Sequence, residues 1–411
     1  MQLYKFLPFP SDRMGALWTL ATIRDCCILE YGPAGTTHYG IEGLMQLNAS
    51  MESRLFTTHM DETDIVSGDS ERLERTIREI DAVYRPPVMF VFASSISSII
   101  GTDIETICRA LQPTTSAKLI AISGGGLRGD FTLGVTEALL TLAKHVVTTP
   151  DASHTPSYNI IGANADCYNF RSDVREITSM IAECFGLKHH TVFTVDTSIT
   201  DIASAANATF NLVMRSEGIP CAEFLKQTHG MPYLYGSPYG YSGSAKWLQQ
   251  VADAFELKSA PNFMEQIAGA ARQHTMYFRR AFFGAKQPTC IVAGNYDQAI
   301  GVALFMQELG IDVRKVLVNH GRPSGAEASS ALTERTVFAP GEELRQQILH
   351  DEKPSLLLGD GVLLEMGEAV QAKIQIANPN LYTTQIYDGT PFMGPRGATY
   401  LLERVLNQLR H

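Results

Sequence analysis

The 411-residue chain is 45% hydrophobic and 18% charged, with 43 acidic against 33 basic side chains and a formal charge of −10. That balance, without a basic run or stripe, excludes general nucleic-acid binding, and no apolar run approaches the roughly 20 residues needed to span a bilayer. The start, Met1-Gln2-Leu3-Tyr4-Lys5, lacks a signal-peptide layout, so a cytoplasmic location is expected.

In chain order, an amphipathic stretch from Met14-Gly15-Ala16-Leu17 to Asp25 precedes an apolar run that ends at Tyr31. The run reads as a buried strand closing in Gly32-Pro33-Ala34-Gly35, with Thr36-Thr37-His38 opening the next segment. Open α/β sheets place ligands at such turns, beyond the carboxyl ends of strands, and the two glycines let a ligand approach the main chain. The spacing then predicts a strand over 54–59 and a helix over 69–84, with Leu73, Ile77 and Ile80 on one face. A buried strand over 88–93 runs into Ser94-Ser95-Ile96-Ser97-Ser98, followed by a helix beginning near Gly101. A strand over 118–123 and a helix ending near Val146 complete this part, and the loop from Thr148 to Pro156 marks a boundary.

The second block predicts strands over 158–162, 191–195 and 232–236, with helices starting near Arg171, Ile199 and Gly218. A long helical pattern over 262–283 crosses to a third block, with strands over 290–293, 315–319, 355–358 and 374–377. Alternating strands and helices imply parallel sheets covered on both faces. The expected domains are 1–155, 156–284 and 285–411, each an α/β unit of the same kind.

Taken together, these motifs resemble the nitrogenase component 1 family. The Gly-Ala helix, the strand and the Gly-Pro-x-Gly loop match its amino-terminal signature. Asp61-Glu62-Thr63-Asp64-Ile65-Val66-Ser67-Gly68 is similar to its acidic stretch, and Asn211-Leu212-Val213 with Gly230-Met231-Pro232 to its middle domain. Ala293-Gly294-Asn295-Tyr296-Asp297 with Glu308-Leu309-Gly310-Ile311, and the turn from Tyr387 to Ala398, resemble its last domain. The resemblance implies three Rossmann-like parallel-sheet domains around a central cleft.

It also implies sites. Family members that hold an iron–sulfur cluster alone use cysteines before the Gly-Ala helix, at the end of the Gly-Pro-x-Gly loop and after the third strand. Those places here are Ser11 or Asp12, Thr36 and Ser95. Hydroxyls are poor substitutes for thiolates, so any cluster at this loop is expected at a subunit interface with ligands from a partner. The B-type subunit of dark-operative protochlorophyllide reductase has a similar layout, with an aspartate where this chain has Thr36. The cofactor-facing residues implied are Gly32, Gly35, Thr36, Thr37, His38, Ser94 and Ser95. Arg215 and Thr384 stand near the family's central cysteine and histidine, so no nitrogenase-type metal cofactor is expected. Arg215 has two readings, a guanidinium facing an acidic ligand and a solvated helix-end residue.

The seven cysteines show no Cys-x-x-Cys or zinc spacing. Cys26 and Cys27 begin the strand whose far end carries the loop, and Cys27 to Tyr31 covers ~13 Å at roughly 3.3 Å per residue. Core packing is therefore expected for both. His189, His190, His229, His274 and His320 lack ligand spacing and read as surface or core residues. Gly124-x-Gly126-x-x-Gly129, with Asp151 beyond it, has the form of a dinucleotide fingerprint on the fourth strand.

The resemblance implies a subunit of a nitrogenase-like reductase complex, fed by an ATP-dependent iron–sulfur reductase and docked on a homologous or identical component 1 subunit. The alternative is a non-redox scaffold or cofactor-maturation subunit without its own metal. A dinucleotide-dependent enzyme is the third reading.

Overall fold

The computed structural model describes residues 5, 9–47, 49–68, 70–149, 156–323, 332–381 and 389–410. Strands Cys26–Tyr31 and Val88–Ala93 are buried at every position. Continuous apolar runs of that kind form strands covered on both faces, as parallel sheets require. They are the two middle strands of a four-stranded parallel sheet, in the order Arg54–Thr57, Cys26–Tyr31, Val88–Ala93, Lys118–Ile122.

A second parallel sheet has the order Tyr233–Tyr235, Phe210–Val213, Ser157–Ile161, Lys188–Phe193. A third runs Thr336–Phe338, Asp312–Val318, Thr289–Gly294, Leu356–Asp360, Ala372–Ala377. In each sheet the first strand in the chain lies between two later ones, so connections leave its carboxyl end in opposite directions. The fold is thus three doubly wound α/β units, each with a topological switch point where such sheets open a crevice.

The units are joined laterally. Ile23–Arg24 pairs with Thr197–Ser198 as a two-stranded parallel ribbon between the first two units. Helix Phe131–His145 packs on Asp12–Ala21 on one side and on Ile219–His229 of the second unit on the other. A hydrophobic core of buried residues runs continuously from Met14 through Tyr158 and Trp247 to Val405, with smaller clusters on the outer faces of the first and third sheets. The last helix, Gly394–Leu409, packs against Phe170–Phe185, Gly240–Phe255 and Pro261–Ala281 and also against strand Ala372–Ala377, so it bridges the middle and third units.

The departures from expectation have physical causes. Phe210–Val213, a central strand of the second sheet, is passed over by the apolar pattern because Asn211 interrupts it. That asparagine is fully buried, and its Oδ1 accepts from Asn159 Nδ2 at 2.9 Å on the neighbouring strand. Lys188–Phe193 starts earlier than 191 because its edge position lets Lys188 and His189 face solvent. Helix Gly240–Phe255 is hidden by the Gly and Ser residues of its first turn. Asp151 of the loop before the second block, Thr384, Tyr387 and Asp388 lie outside the described residues. Among the described residues, no helix is long and apolar enough to cross a membrane.

Candidate functional site

At the switch point of the first sheet, Gly32 is held against Ser94: a β-carbon there would lie 2.4 Å from Ser94 Cβ. Only glycine allows that approach. Helix Ala34–Met45 begins directly after Pro33, with Gly35 exposed in its first turn. The Thr36 hydroxyl turns back and donates to the Pro33 carbonyl at 2.8 Å. Its own carbonyl accepts from Arg13 Nη2 at 3.1 Å, and Arg13 Nη1 forms a buried ion pair with Glu30 at 2.8 Å. Thr37 is buried, whereas His38 is exposed and pairs with Glu42 at 3.1 Å. Ser94 Oγ caps the helix Ser95–Ile99 by accepting from the Ser97 N–H at 3.1 Å, and Ser95 is half-buried.

The same edge collects the other expected positions. Ser11 precedes helix Asp12–Ala21, with its Oγ 3.0 Å from where a Gly126 β-carbon would stand. Ser98 adjoins Gly125 in the same way. The three places that carry cluster-binding cysteines in the family are here Ser11 or Asp12, Thr36 and Ser95, with the Thr36 hydroxyl already bonded to the Pro33 carbonyl. Such donors do not fit an iron–sulfur cluster bound by this chain alone.

Gly124 to Gly129 does not form a phosphate cradle. The loop closes on the Asp12 carboxylate, whose Oδ2 would lie 2.4 Å from a Gly124 β-carbon. The following helix is capped by Asp130, which accepts from the Thr132 N–H at 3.0 Å, so an acidic group stands where a phosphate would bind. Lys118–Ile122 is also an edge strand, away from the switch point.

The second and third switch points face each other and build the centre of the molecule. Arg215 follows Phe210–Val213 and packs over Gly162, where φ is +95° and a β-carbon would meet Arg215 Cγ at 2.6 Å. It is buried, not a solvated helix-end residue, and it is held by this chain's own acids. Nη1 lies 2.6 Å from Asp166 Oδ2 and Nε lies 2.7 Å from Glu217 Oε2. Despite burial, the guanidinium holds the Glu217 carboxyl below its usual range. Asn295 Nδ2 donates to Asp166 Oδ2 at 3.2 Å, and Asn378 Nδ2 donates to the Asp166 carbonyl at 3.0 Å. Beyond them Asp297 accepts from the Ser216 N–H at 2.9 Å and from the Tyr235 hydroxyl, with burial pushing its carboxyl up to about 6.

His320 lies fully inside this centre, with Nε2 accepting from the Tyr296 N–H at 3.0 Å and Nδ1 2.7 Å from the Gly321 carbonyl. Burial lowers its pKa, and both ring nitrogens are satisfied, so it is a neutral positioning group. Cys167 Sγ stands 3.4 Å from Arg215 Nη1, but burial pushes its thiol up to about 12. Cys26 and Cys27 are buried at the amino end of their strand, opposite Val88 and Met89, and burial pushes Cys26 up to about 12. Among the described residues no group of three or more His, Cys, Asp or Glu could hold a metal ion.

Between the first unit and this centre lies a cavity of ≈ 180 Å³. One wall is apolar: Met14, Trp18, Leu47 and Phe131 from the first unit. The other is polar, with Asp166, Asn295, Asn319, Arg345, Asp360 and Asn378 drawn from the second and third. Arg345 Nη1 pairs with Asp360 Oδ2 at 3.2 Å, and Nη2 donates to Asn319 Oδ1 at 3.1 Å. An apolar chamber with a few converging polar groups is the usual form of a small-molecule site. Asn319 and Asp360 were not singled out in the sequence, although each directly follows or ends an apolar strand, where switch-point residues stand.

The fold is that of a three-unit, doubly wound α/β protein with a central chamber. A family model described as nitrogenase component 1 type oxidoreductase matches residues 11–410, and the chain belongs to that family. Among curated proteins it is similar to the nitrogenase iron-molybdenum cofactor biosynthesis protein NifE of Methanococcus maripaludis, at 29% identity over 358 residues, covering 84% of this chain and 72% of that protein. The protein of the same name from Clostridium pasteurianum is 26% identical over 356 residues, covering 84% and 76%. The solved structure of nitrogenase Cp1 at pH 6.5 superposes with a TM-score of 0.82 over 100% of this chain and 94% of that one, at 15% identity, a likeness of fold.

Proposed function

We propose that this chain is a cofactor-maturation subunit: a scaffold that holds a cofactor or its precursor in the central chamber without supplying cluster ligands. The observation that carries the reading is the absence of thiols at the three cluster positions, Ser11 or Asp12, Thr36 and Ser95, with the Thr36 hydroxyl turned onto the Pro33 carbonyl. The names of its relatives, cofactor biosynthesis proteins, favour this over the electron-transferring reductase subunit that the motifs first imply. A homologous or identical subunit docks on the edge formed by Gly32 to His38 and Ser94 to Ser98. Exposed Ile99 and Leu127, 69% and 58% accessible beside that edge, supply its apolar contact. An ATP-dependent iron–sulfur reductase would then act on the assembled complex rather than on this chain.

The test is anaerobic iron and sulfide analysis of the purified chain, alone and with its co-purifying partner. The isolated chain is expected to carry neither. Tightly bound iron in it would overturn the ligand argument, and a redox-active cluster in the complex that passes electrons to a substrate would restore the reductase reading.

A further inference from the structure

We propose that the central chamber takes an organic cation, a group with an apolar or aromatic body and a positively charged head that carries N–H donors, such as an amidinium or a protonated amine. This rests on the reading of the chamber as the binding site and names the charge class of what binds there. The first observation is an imbalance of charge. Glu42, Asp166, Glu342 and Asp360 line the chamber against one guanidinium, Arg345. Arg345 is spent within the wall, with Nη1 on Asp360 Oδ2 at 3.2 Å, Nη2 on Asn319 Oδ1 at 3.1 Å and Nε on the Pro340 carbonyl at 3.0 Å. Arg215 lies behind the lining and is divided between Asp166 and Glu217. Glu42 pairs with the exposed His38, and Glu342 accepts from the Lys5 main-chain N–H. The set stays acidic even with His38 protonated and Glu342 set aside.

The second observation is a group of acceptors on the lining that have no donor. Asp166 is 5% exposed and places Oδ2 on Arg215 and Asn295, while its Oδ1 has no partner among the described residues. Asn295 spends Nδ2 on Asp166, which leaves its side-chain oxygen as an acceptor. Asn378 turns Nδ2 onto the Ala165 and Asp166 carbonyls, and its Oδ1 is unpartnered as well. Buried acceptors without donors carry a desolvation cost that a ligand's N–H groups remove, and a charged donor does so best beside a carboxylate. Two donors are also unpartnered, but Arg215 Nη2 stands behind the lining. The other, Trp18 Nε1, belongs to the opposite wall and suits a single acceptor on the ligand's body. That wall is aromatic: the Trp18 and Phe131 ring centroids lie 6.1 Å apart, and Tyr39 joins them on the lining. Aromatic faces attract cations and cover their apolar stems. Among the described residues no group of three or more His, Cys, Asp or Glu could hold a metal ion, so the charge is carried by an organic head.

The experiment compares benzamidine, benzamide, benzoate and phenyltrimethylammonium: a cationic donor head, its neutral counterpart, an anion and a cation without N–H. Titration calorimetry on the full chain reads affinity, and circular dichroism checks that each variant is folded. Benzamidine is expected to bind at least about tenfold more tightly than benzamide or benzoate, and more tightly than phenyltrimethylammonium. Asp166→Asn leaves Arg215 matched by Glu217, so the chain should fold, and the ratio of benzamidine to benzamide affinity should fall about tenfold. Glu42→Gln, at an exposed position, should lower the same ratio about threefold. Leu47→Trp fills the apolar side and should abolish binding. Benzamide or benzoate binding as tightly as benzamidine, and lost on Leu47→Trp, would overturn the ligand class while leaving the chamber a binding site. A preference for benzamidine unchanged in both Asp166→Asn and Glu42→Gln would do the same, and equal affinity for phenyltrimethylammonium would overturn the role of the acceptors. No binding of any probe, or binding indifferent to Leu47→Trp, would overturn both the inference and the reading beneath it.

Discussion

Arg215 Nη1 lies 2.6 Å from Asp166 Oδ2, joining the ends of two strands of the middle unit beneath the chamber. Because Glu217 shares the same guanidinium, removing it leaves two buried carboxylates uncompensated. Arg215→Ala should cost about 3–5 kcal/mol in denaturant unfolding. The triple variant with Asp166→Asn and Glu217→Gln should recover most of that loss, since amides need no counter-charge.

Restoring thiols should restore cluster chemistry only as a set. Thr36→Val removes the bond to Pro33 and should cost about 1 kcal/mol. Thr36→Cys alone should bind no iron. Ser11→Cys, Thr36→Cys and Ser95→Cys together should retain iron and sulfide after anaerobic reconstitution, measured by metal analysis and electron paramagnetic resonance.

Asp173 makes stability depend on pH. Burial pushes its carboxyl from 3.8 up to about 7, although it accepts N–H bonds from Phe392 at 2.6 Å and Met393 at 2.9 Å. A carboxyl whose folded pKa is raised contributes stability that is complete below its unfolded pKa and is lost as pH climbs through about 7. Neighbouring Glu176, also raised by burial, acts in the same direction. The melting temperature should therefore fall between pH 4 and pH 8. Asp173→Asn keeps an acceptor for both N–H groups and should be roughly 1–3 kcal/mol more stable than the unaltered chain at pH 8.

The native thiols should be unreactive. Burial raises Cys26, Cys108 and Cys167 to about 12, so little thiolate exists at pH 8. Alkylation followed by mass spectrometry should show slow modification of all three in the folded chain and rapid modification in denaturant. Cys26→Ala and Cys27→Ala should each cost ~1 kcal/mol without changing bound iron.

Assembly should depend on the edge beside the Gly32 loop. Ile99→Glu with Leu127→Glu places two charges on exposed positions, so each chain should fold as before. Sedimentation at micromolar concentration should then show dissociation of a complex that the unaltered chain maintains.

The sequence revealed most where one physical signal acted alone. Val88–Ala93 is apolar at every position, and its bounds are those read from the pattern. The strand–turn unit ending at Gly32 and the family motifs were equally plain. Phe210–Val213 was obscured because a buried asparagine ladder breaks the apolar run, and only the pairing with Asn159 explains it. The chamber was less legible still. Asp166, Asn295, Asn319, Asp360 and Asn378 are ordinary strand-end and loop residues one at a time, and Trp18 is indistinguishable from core on its amphipathic helix. They become a site only when the second and third switch points face each other across from helices of the first unit.

Helix Gly394–Leu409 and the turn before it have a consequence for how the protein is made. Asp173 waits for the N–H of Phe392, 219 residues further along the chain, and the face of Phe170–Phe185 that receives this helix stays bare until then. During translation the middle unit therefore emerges from the ribosome early but cannot close until the whole third unit has followed. Its exposed apolar face is the natural target for a chaperone, and a ribosome stalled within the third unit would strand two incomplete units, not one.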